Sequence, residues 1–295
     1  MNACVIFVLL SSSDACASNA SRLAGCGLVL SRFLEPIDWA LPLIDAGIDV
    51  TVLNRGPWDS FKELIPTRER AASEDEWCVR SPDRGRLHVH NHLSNVGRES
   101  FAYVEYMVQR ATSWQHRLTV FCQAQPKHKL YSSAELLDDM SRLCGVRASG
   151  PPHNTQHERI AAEVRRTGFA FLSRCSPPFH PDTFADQAMK VHFRAAFMNA
   201  FNASSADYEA LRWCPNGCFA LTHDGFANAY ARRRGTFEEL ARMLGSSNRP
   251  IEAELLERAW GALFSQSSIG RRRARGVTRA KKDVPLTFHV LRQGV

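Results

Sequence analysis

No stretch of this 295-residue chain is apolar for long enough to span a bilayer. The run from Ala3 to Leu10 falls far short of the roughly 20 residues a membrane helix needs. No Lys or Arg precedes that run, so the positive flank of a secretory signal is missing, although Ala15-Cys16-Ala17 has the small-residue pattern of a signal-peptidase site. Two readings of the N-terminus therefore stand: a cleaved signal, implying the secretory pathway, or a leader on a cytoplasmic protein. No second Cys/His pair lies near Cys214-Pro-Asn-Gly-Cys218, which denies that turn the four ligands of a structural zinc site. The nine cysteines are odd in number and scattered, so a disulfide framework is not expected. There is no internal repeat, and no low-complexity segment outside the C-terminal tail.

What is present is an ordinary globular composition, 44% hydrophobic and 23% charged, with a net charge of +7. The charge is not spread evenly. Residues 265–295 hold eight Lys/Arg and one acid, Asp283, so the rest of the chain is neutral. That division gives a leader at 1–26, one α/β domain at 27–264 and a basic tail at 265–295. Such a tail reads as a solvated end. A nucleic-acid partner is disfavoured because only the tail suggests it. Asn19-Ala-Ser21 and Asn202-Ala-Ser204 fit the N-glycosylation triplet, a pattern that also arises by chance.

The domain alternates strand and helix signals. Gly27 to Arg32 reads as a buried strand, Pro36 opens a helix to about Ala46, and Gly47 stops it. Asp49-Val-Thr-Val-Leu-Asn54 is a second strand, so the unit is βαβ with a parallel pair. Residues 57–86 are polar and irregular and suit a functional loop or lid. Further strands are expected at 87–92, 118–122, 168–172 and 218–222. Helices are expected at 100–111, about 133–143, 155–166, 182–201, 236–244 and 251–264. Phe193, Phe197 and Phe201 recur every four residues and belong to a core-facing stripe. Glu254 and Arg258, one turn apart, suit a helix-surface ion pair. His88, His90 and His92 alternate on the 87–92 strand and so share a face. Three imidazoles could bind a transition metal, but no local carboxylate or thiolate joins them, and a partly exposed strand explains them as well.

The organising stretch is Ser94-Asn-Val-Gly-Arg-Glu-Ser100. Asn95 and Gly97 suit a tight turn, Ser94 or Asn95 can cap the helix behind it, and Glu99 sits in its first turn. The next strand ends in Gln123-Ala-Gln125-Pro126. A helix N-terminus at the edge of a parallel sheet is where α/β proteins take anionic ligands.

These pieces resemble a known family. Leu28-Val-Leu-Ser-Arg-Phe-Leu-Glu-Pro-Ile-Asp-Trp39, Val52-Leu-Asn-Arg-Gly56 and Asn95-Val-Gly-Arg-Glu99 come first. Phe121-Cys-Gln-Ala-Gln-Pro126 with His128, Gly217-Cys-Phe-Ala-Leu221 and Leu256-Glu-Arg-Ala-Trp260 with Phe264 follow. Their order resembles domain-of-unknown-function family 3431 over roughly residues 27–264. That family in turn looks like nucleotide-sugar glycosyltransferases of the GT-A fold, which implies a three-layer Rossmann-like mixed sheet.

The resemblance implies transfer of a hexosyl or pentosyl group from a nucleotide-sugar to a hydroxyl of a carbohydrate or protein acceptor. The alternative is an inactive relative that binds a sugar, a nucleotide or a partner protein. It implies donor binding by Arg32, Asn54, Arg55, Asn95, Gly97, Arg98, Glu99, Gln123, Gln125 and His128, with Lys127 as a further cation. Glu257, Glu254 and Asp224 are the candidates for the general base, each with a structural reading beside it. The Mn²⁺ or Mg²⁺ of GT-A enzymes is held by two carboxylates where this chain has Gln123 and Gln125. An amide cannot supply their charge, so metal dependence is not implied.

Overall fold

The computed structural model describes residues 24–57, 76–80, 85–91, 93, 98–124, 133–145, 155–172, 180, 182, 187–201, 203–211, 218–245 and 251–264. At some of these positions, Arg98 among them, only the backbone is described. The strands are β1 (Ala24–Arg32), β2 (Asp49–Asn54), β3 (Glu76–Arg80), β4 (Arg86–His90), β5 (His116–Gln123), β6 (Phe169–Phe171) and β7 (Phe219–Thr222). They form one mixed sheet in the order β3-β4-β2-β1-β5-β7-β6. β4, β2, β1 and β5 are parallel, while β3 and β7 run against their neighbours.

The helices are α1 (Leu41–Asp45), α2 (Arg98–Gln109), α3 (Ser133–Leu143), α4 (Thr155–Thr167), α5 (Gln187–Phe201), α6 (Ser205–Glu209), α7 (His223–Leu244) and α8 (Ile251–Phe264). They cover both faces. Leu28, Leu30, Val50, Val52, Val89 and Val120 face a core shared with α1, α3 and α4. Val29, Leu53, Phe121 and Phe219 face a second core shared with α2, α5, α7 and α8. A sheet covered on both sides explains why β2 is buried at all six positions and carries no polar alternation. The second core is aromatic: Phe121 stacks on Phe219 at 5.0 Å, and Trp260 lies 4.9 Å from Phe219. Phe193, Phe197 and Phe201 are buried in it, as their spacing predicts.

Three local expectations need correction. The polar stretch 57–86 contains β3, which pairs antiparallel with β4 from Glu76 opposite His90 to Arg80 opposite Arg86. The helix expected at 236–244 begins at His223 and is kinked at Arg233, where φ is −133°. Its N-cap is Thr222, whose hydroxyl accepts from the Gly225 amide. Gly168, at φ +80°, brings β6 so close that a Cβ on Gly225 would lie 2.6 Å from the Gly168 carbonyl oxygen. The third concerns cysteine. Cys26 is joined to Cys144 and Cys122 to Cys218, across 118 and 96 residues. Cys218 is thus partnered by β5 and not by Cys214, which lies outside the described residues. Among the described residues, no helix is long and apolar enough to cross a membrane.

Candidate functional site

β1 sits at the point where the strand order reverses, with β2 and β4 on one side and β5 on the other. The helices that follow β1 and β5, α1 and α3, cover the same face of the sheet, and open α/β sheets take their ligands at the carboxyl ends of the strands. Those ends carry Ser31 and Arg32 on β1, Asn54 on β2, Asn91 just past β4 and Gln123 on β5. The parallel register thus gathers four of the predicted residues, Arg32, Asn54, Arg55 and Gln123, at one edge.

A buried relay joins Arg32, Asn54 and Asn91. Arg32 is 1% exposed. Its Nη1 donates to Asn54 Oδ1 at 2.8 Å and its Nε to the Glu35 carbonyl at 2.8 Å. Burial lowers the guanidinium from its usual range, and Glu35 opposes that shift. Asn54 Nδ2 in turn donates to Asn91 Oδ1 at 2.7 Å and to the Gly56 carbonyl at 3.1 Å. Desolvating a cation is tolerable here because acceptors replace the lost water. The relay fixes the ends of β1, β2 and β4 relative to one another. The Glu35 carboxylate accepts from the Phe33 and Leu34 amides and closes the turn that follows β1. Trp39 Nε1 donates to the Ala124 carbonyl, tying the segment after β1 to the end of β5.

α2 comes down on this edge. Gln123 Nε2 donates to Glu99 Oε1 at 2.8 Å, so the first turn of α2 is bonded to the end of β5. Ser100 Oγ donates to the Ala253 carbonyl, which sets the start of α8 beside the start of α2. One turn beyond Glu99, Tyr103 is fully buried with its ring 5.4 Å from Phe121 and 6.3 Å from Trp260. Its phenol is pushed well above the ordinary range by burial, then by Glu99, with Arg55 opposing and Glu257 and Glu35 adding to the rise. Glu257, on α8, thus acts on Tyr103 through its charge.

The other two acids do not join it. Glu254 faces Arg258, with Nη1 to Oε2 at 3.6 Å, and Arg258 lies over Phe193 at 4.8 Å. This is the ion pair the spacing predicts, though Arg258 itself is only 5% exposed. Asp224 is at the opposite edge of the sheet. β7 runs antiparallel to β5, with Thr222 opposite Leu118. Five residues separate Leu118 from Gln123, which is about 17 Å of strand. Asp224 pairs instead with His223 at 3.0 Å and lines a surface cavity of about 420 Å³ with Arg117, Arg165 and Asn228. Its assignment as a base for the same ligand is thereby corrected. Asn95, Gly97, Gln125 and His128, with Lys127, lie outside the described residues. For Arg98 the backbone alone is placed, as the first residue of α2.

The described residues supply no carboxylate pair of the kind that holds a divalent cation in GT-A enzymes. Gln123 is neutral and its amide is turned onto Glu99. No group of three His, Cys, Asp or Glu able to hold a metal exists among the described residues. His88 and His90 do share a face, but His92 lies outside the described residues. Burial holds His88 at about 4 and His90 at about 3.

Four contributors escaped the sequence reading: Ser31, Glu35, Asn91 and Tyr103. Tyr103 lies four residues after Glu99, a helical spacing that would have put it on the same face. No family model and no curated protein matches this chain.

Proposed function

We propose that this chain is a nucleotide-sugar-binding protein of the GT-A type, with glycosyl transfer to a hydroxyl acceptor as its activity. The observation that carries the reading is the meeting of Arg32, Asn54, Glu99 and Gln123 at the strand-order reversal of an α/β sheet, with Glu257 arriving from α8. On this reading the start of α2 and Arg98 take the diphosphate through backbone N–H groups and positive charge. Glu257 is the general base for the acceptor hydroxyl, a role for which Glu254 is less suited because it is committed to Arg258. The resemblance to family 3431 supports the same reading. The two disulfides fit an oxidising compartment and so favour the secretory reading over the cytoplasmic one.

A second reading is binding without transfer. It is favoured by Gln123, whose amide stands where a metal-binding carboxylate is expected. Thermal shift with UDP- and GDP-sugars, with and without Mn²⁺, tests the shared premise. Release of UDP or GDP in the presence of simple glycoside acceptors separates the two. No stabilisation by any nucleotide-sugar would overturn both.

A further inference from the structure

We infer that Cys78, His88 and His90, completed by Glu76, form a zinc site where β3 pairs with β4.

The site follows from the register at the outer edge of the sheet. Leu87 and Val89 on β4 face the core shared with α1, α3 and α4, so His88 and His90 share the opposite face, the one α2 covers. The His90 ring stands edge-on to Tyr106 of α2, with 6.2 Å between centroids. Two imidazoles alone hold a metal weakly, and β4 itself adds neither a thiolate nor a carboxylate. β3 changes that. Its backbone pairs antiparallel with β4, with Cys78 opposite His88 and Glu76 opposite His90. Residues directly opposite in an antiparallel pair belong to one face, with Cα atoms about 4.5–5.5 Å apart. Two residues along either strand span roughly 7 Å. The four positions are therefore the corners of a patch small enough for one ion with ligand bonds of about 2.0–2.3 Å. Cys78 is also none of the four cysteines joined as Cys26–Cys144 and Cys122–Cys218.

The chemistry of the set selects the ion. Two imidazoles, a thiolate and a carboxylate suit tetrahedral Zn²⁺, whereas Mg²⁺ and Ca²⁺ ask for oxygen ligands. Burial already holds His88 and His90 neutral, which is the ligating form. Arg86 and Arg110 act on His88, and Arg110 on His90, as positive neighbours that would repel a bare dication. A Cys78 thiolate and a Glu76 carboxylate cancel the two charges of zinc, so the filled site adds no net charge beside them. Arg86 is itself held by Asp49 at 2.8 Å. Binding releases the Cys78 thiol proton to solvent. With four protein ligands the site is closed, and its work is structural: it fastens the edge strand β3 to β4. It stands or falls separately from the nucleotide-sugar reading.

The test uses the whole chain, kept free of thiol reductant, stripped with EDTA and titrated with Zn²⁺ and Co²⁺. One zinc per chain should bind tighter than about 1 μM, and Mg²⁺ and Ca²⁺ should not compete. Co²⁺ should give the visible bands of a tetrahedral ion together with a sulfur-to-cobalt charge-transfer band in the near ultraviolet. Zinc should protect Cys78 from iodoacetamide, read by peptide mass, and should raise the melting temperature. His88→Gln and His90→Gln should each weaken zinc at least about tenfold. Cys78→Ser should remove the charge-transfer band. Alkylation of the wild type decides the question should a variant fail to fold. No zinc bound, a cobalt spectrum without the sulfur band, Cys78 alkylated at the same rate with zinc present, or Cys78 recovered in a disulfide would each overturn the site. Unchanged zinc affinity in a folded His88→Gln variant would do the same.

Discussion

Gln123 on β5 and Glu99 on α2 are joined by a 2.8 Å hydrogen bond from amide to carboxylate, across 24 residues of chain. The bond explains why an amide sits at the end of β5. A carboxylate there would face Glu99 in a half-buried edge. Gln123→Glu is therefore expected to lower stability by about 1–3 kcal/mol at pH 7. The loss should shrink below pH 5, where one of the two acids takes a proton. Urea melts at the two pH values check this. If Mn²⁺ restores the stability of the variant at pH 7, the substitution has recreated a metal-binding carboxylate pair.

At the other end of the same strands, Asp49 binds Arg86 through Nη2 at 2.8 Å and His116 Nε2 at 3.0 Å. Burial acts to raise the Asp49 carboxyl, but its bonds to His116 and Arg86 win and hold it well below the usual range. Asp49→Ala takes the carboxylate from two cationic or donor groups that are about nine-tenths enclosed. It should cost about 3 kcal/mol. Asp49 and Asn54 are at opposite ends of β2, about 17 Å apart. A calorimetric titration should accordingly show ligand affinity unchanged in this variant.

His88 and His90 make the fold acid-sensitive. Burial, helped by Arg86 at His88 and by Arg110 at both, keeps them neutral down to about 4 and about 3. In the unfolded chain a histidine takes its proton near 6.5. Between those values the unfolded state binds more protons, so stability is full above about pH 6.5 and is lost as pH falls towards 4. The loss over that window should be on the order of 3 kcal/mol for each histidine. Asp49 acts in the same direction below about pH 4, where the carboxyl of the unfolded chain takes a proton and the depressed one of the folded protein does not. His90→Phe should flatten the upper part of a plot of unfolding free energy against pH between 4 and 7.

The Cys122–Cys218 link closes 96 residues of chain. A loop of that length, left open in the unfolded state, corresponds to about 4–5 kcal/mol on the loop-entropy account. Cys122→Ala with Cys218→Ala should lower the melting temperature of non-reduced protein and abolish its response to dithiothreitol at this site. Mass mapping of the peptides under non-reducing conditions checks the pairing itself. A Cys214–Cys218 peptide would contradict it.

The layered fold was legible because its central strands announce themselves. Val50 and Val52, like Leu28 and Leu30, form apolar runs with turn residues at their ends, and Gly47 marks where α1 stops. The stripe of Phe193, Phe197 and Phe201 was equally plain. What stayed hidden depends on pairing across long separations. Nothing local in Cys122 or Cys26 names its partner. The position of Asp224 follows from the direction of β7, which is set by its bonding to β5 rather than by its own four residues. β3 was missed because Glu76 to Arg80 is short, polar at both ends and an edge strand. Tyr103 was missed for the opposite reason: it lies among Ala102, Val104 and Met107 and passes for core, which it is, but with a buried hydroxyl.

The position of β1 between β2 and β5 also bears on how the chain is made. The four parallel strands are all synthesised by residue 123, whereas β6 and β7 come almost fifty and a hundred residues later. Until they arrive, β5 presents an open row of backbone groups along one side, and Cys122 lacks the partner it has in the finished fold, Cys218. The nascent protein must therefore keep that border from joining another chain while the ribosome finishes the rest. Its covalent locking to Cys218 can come only after residue 218 has been made.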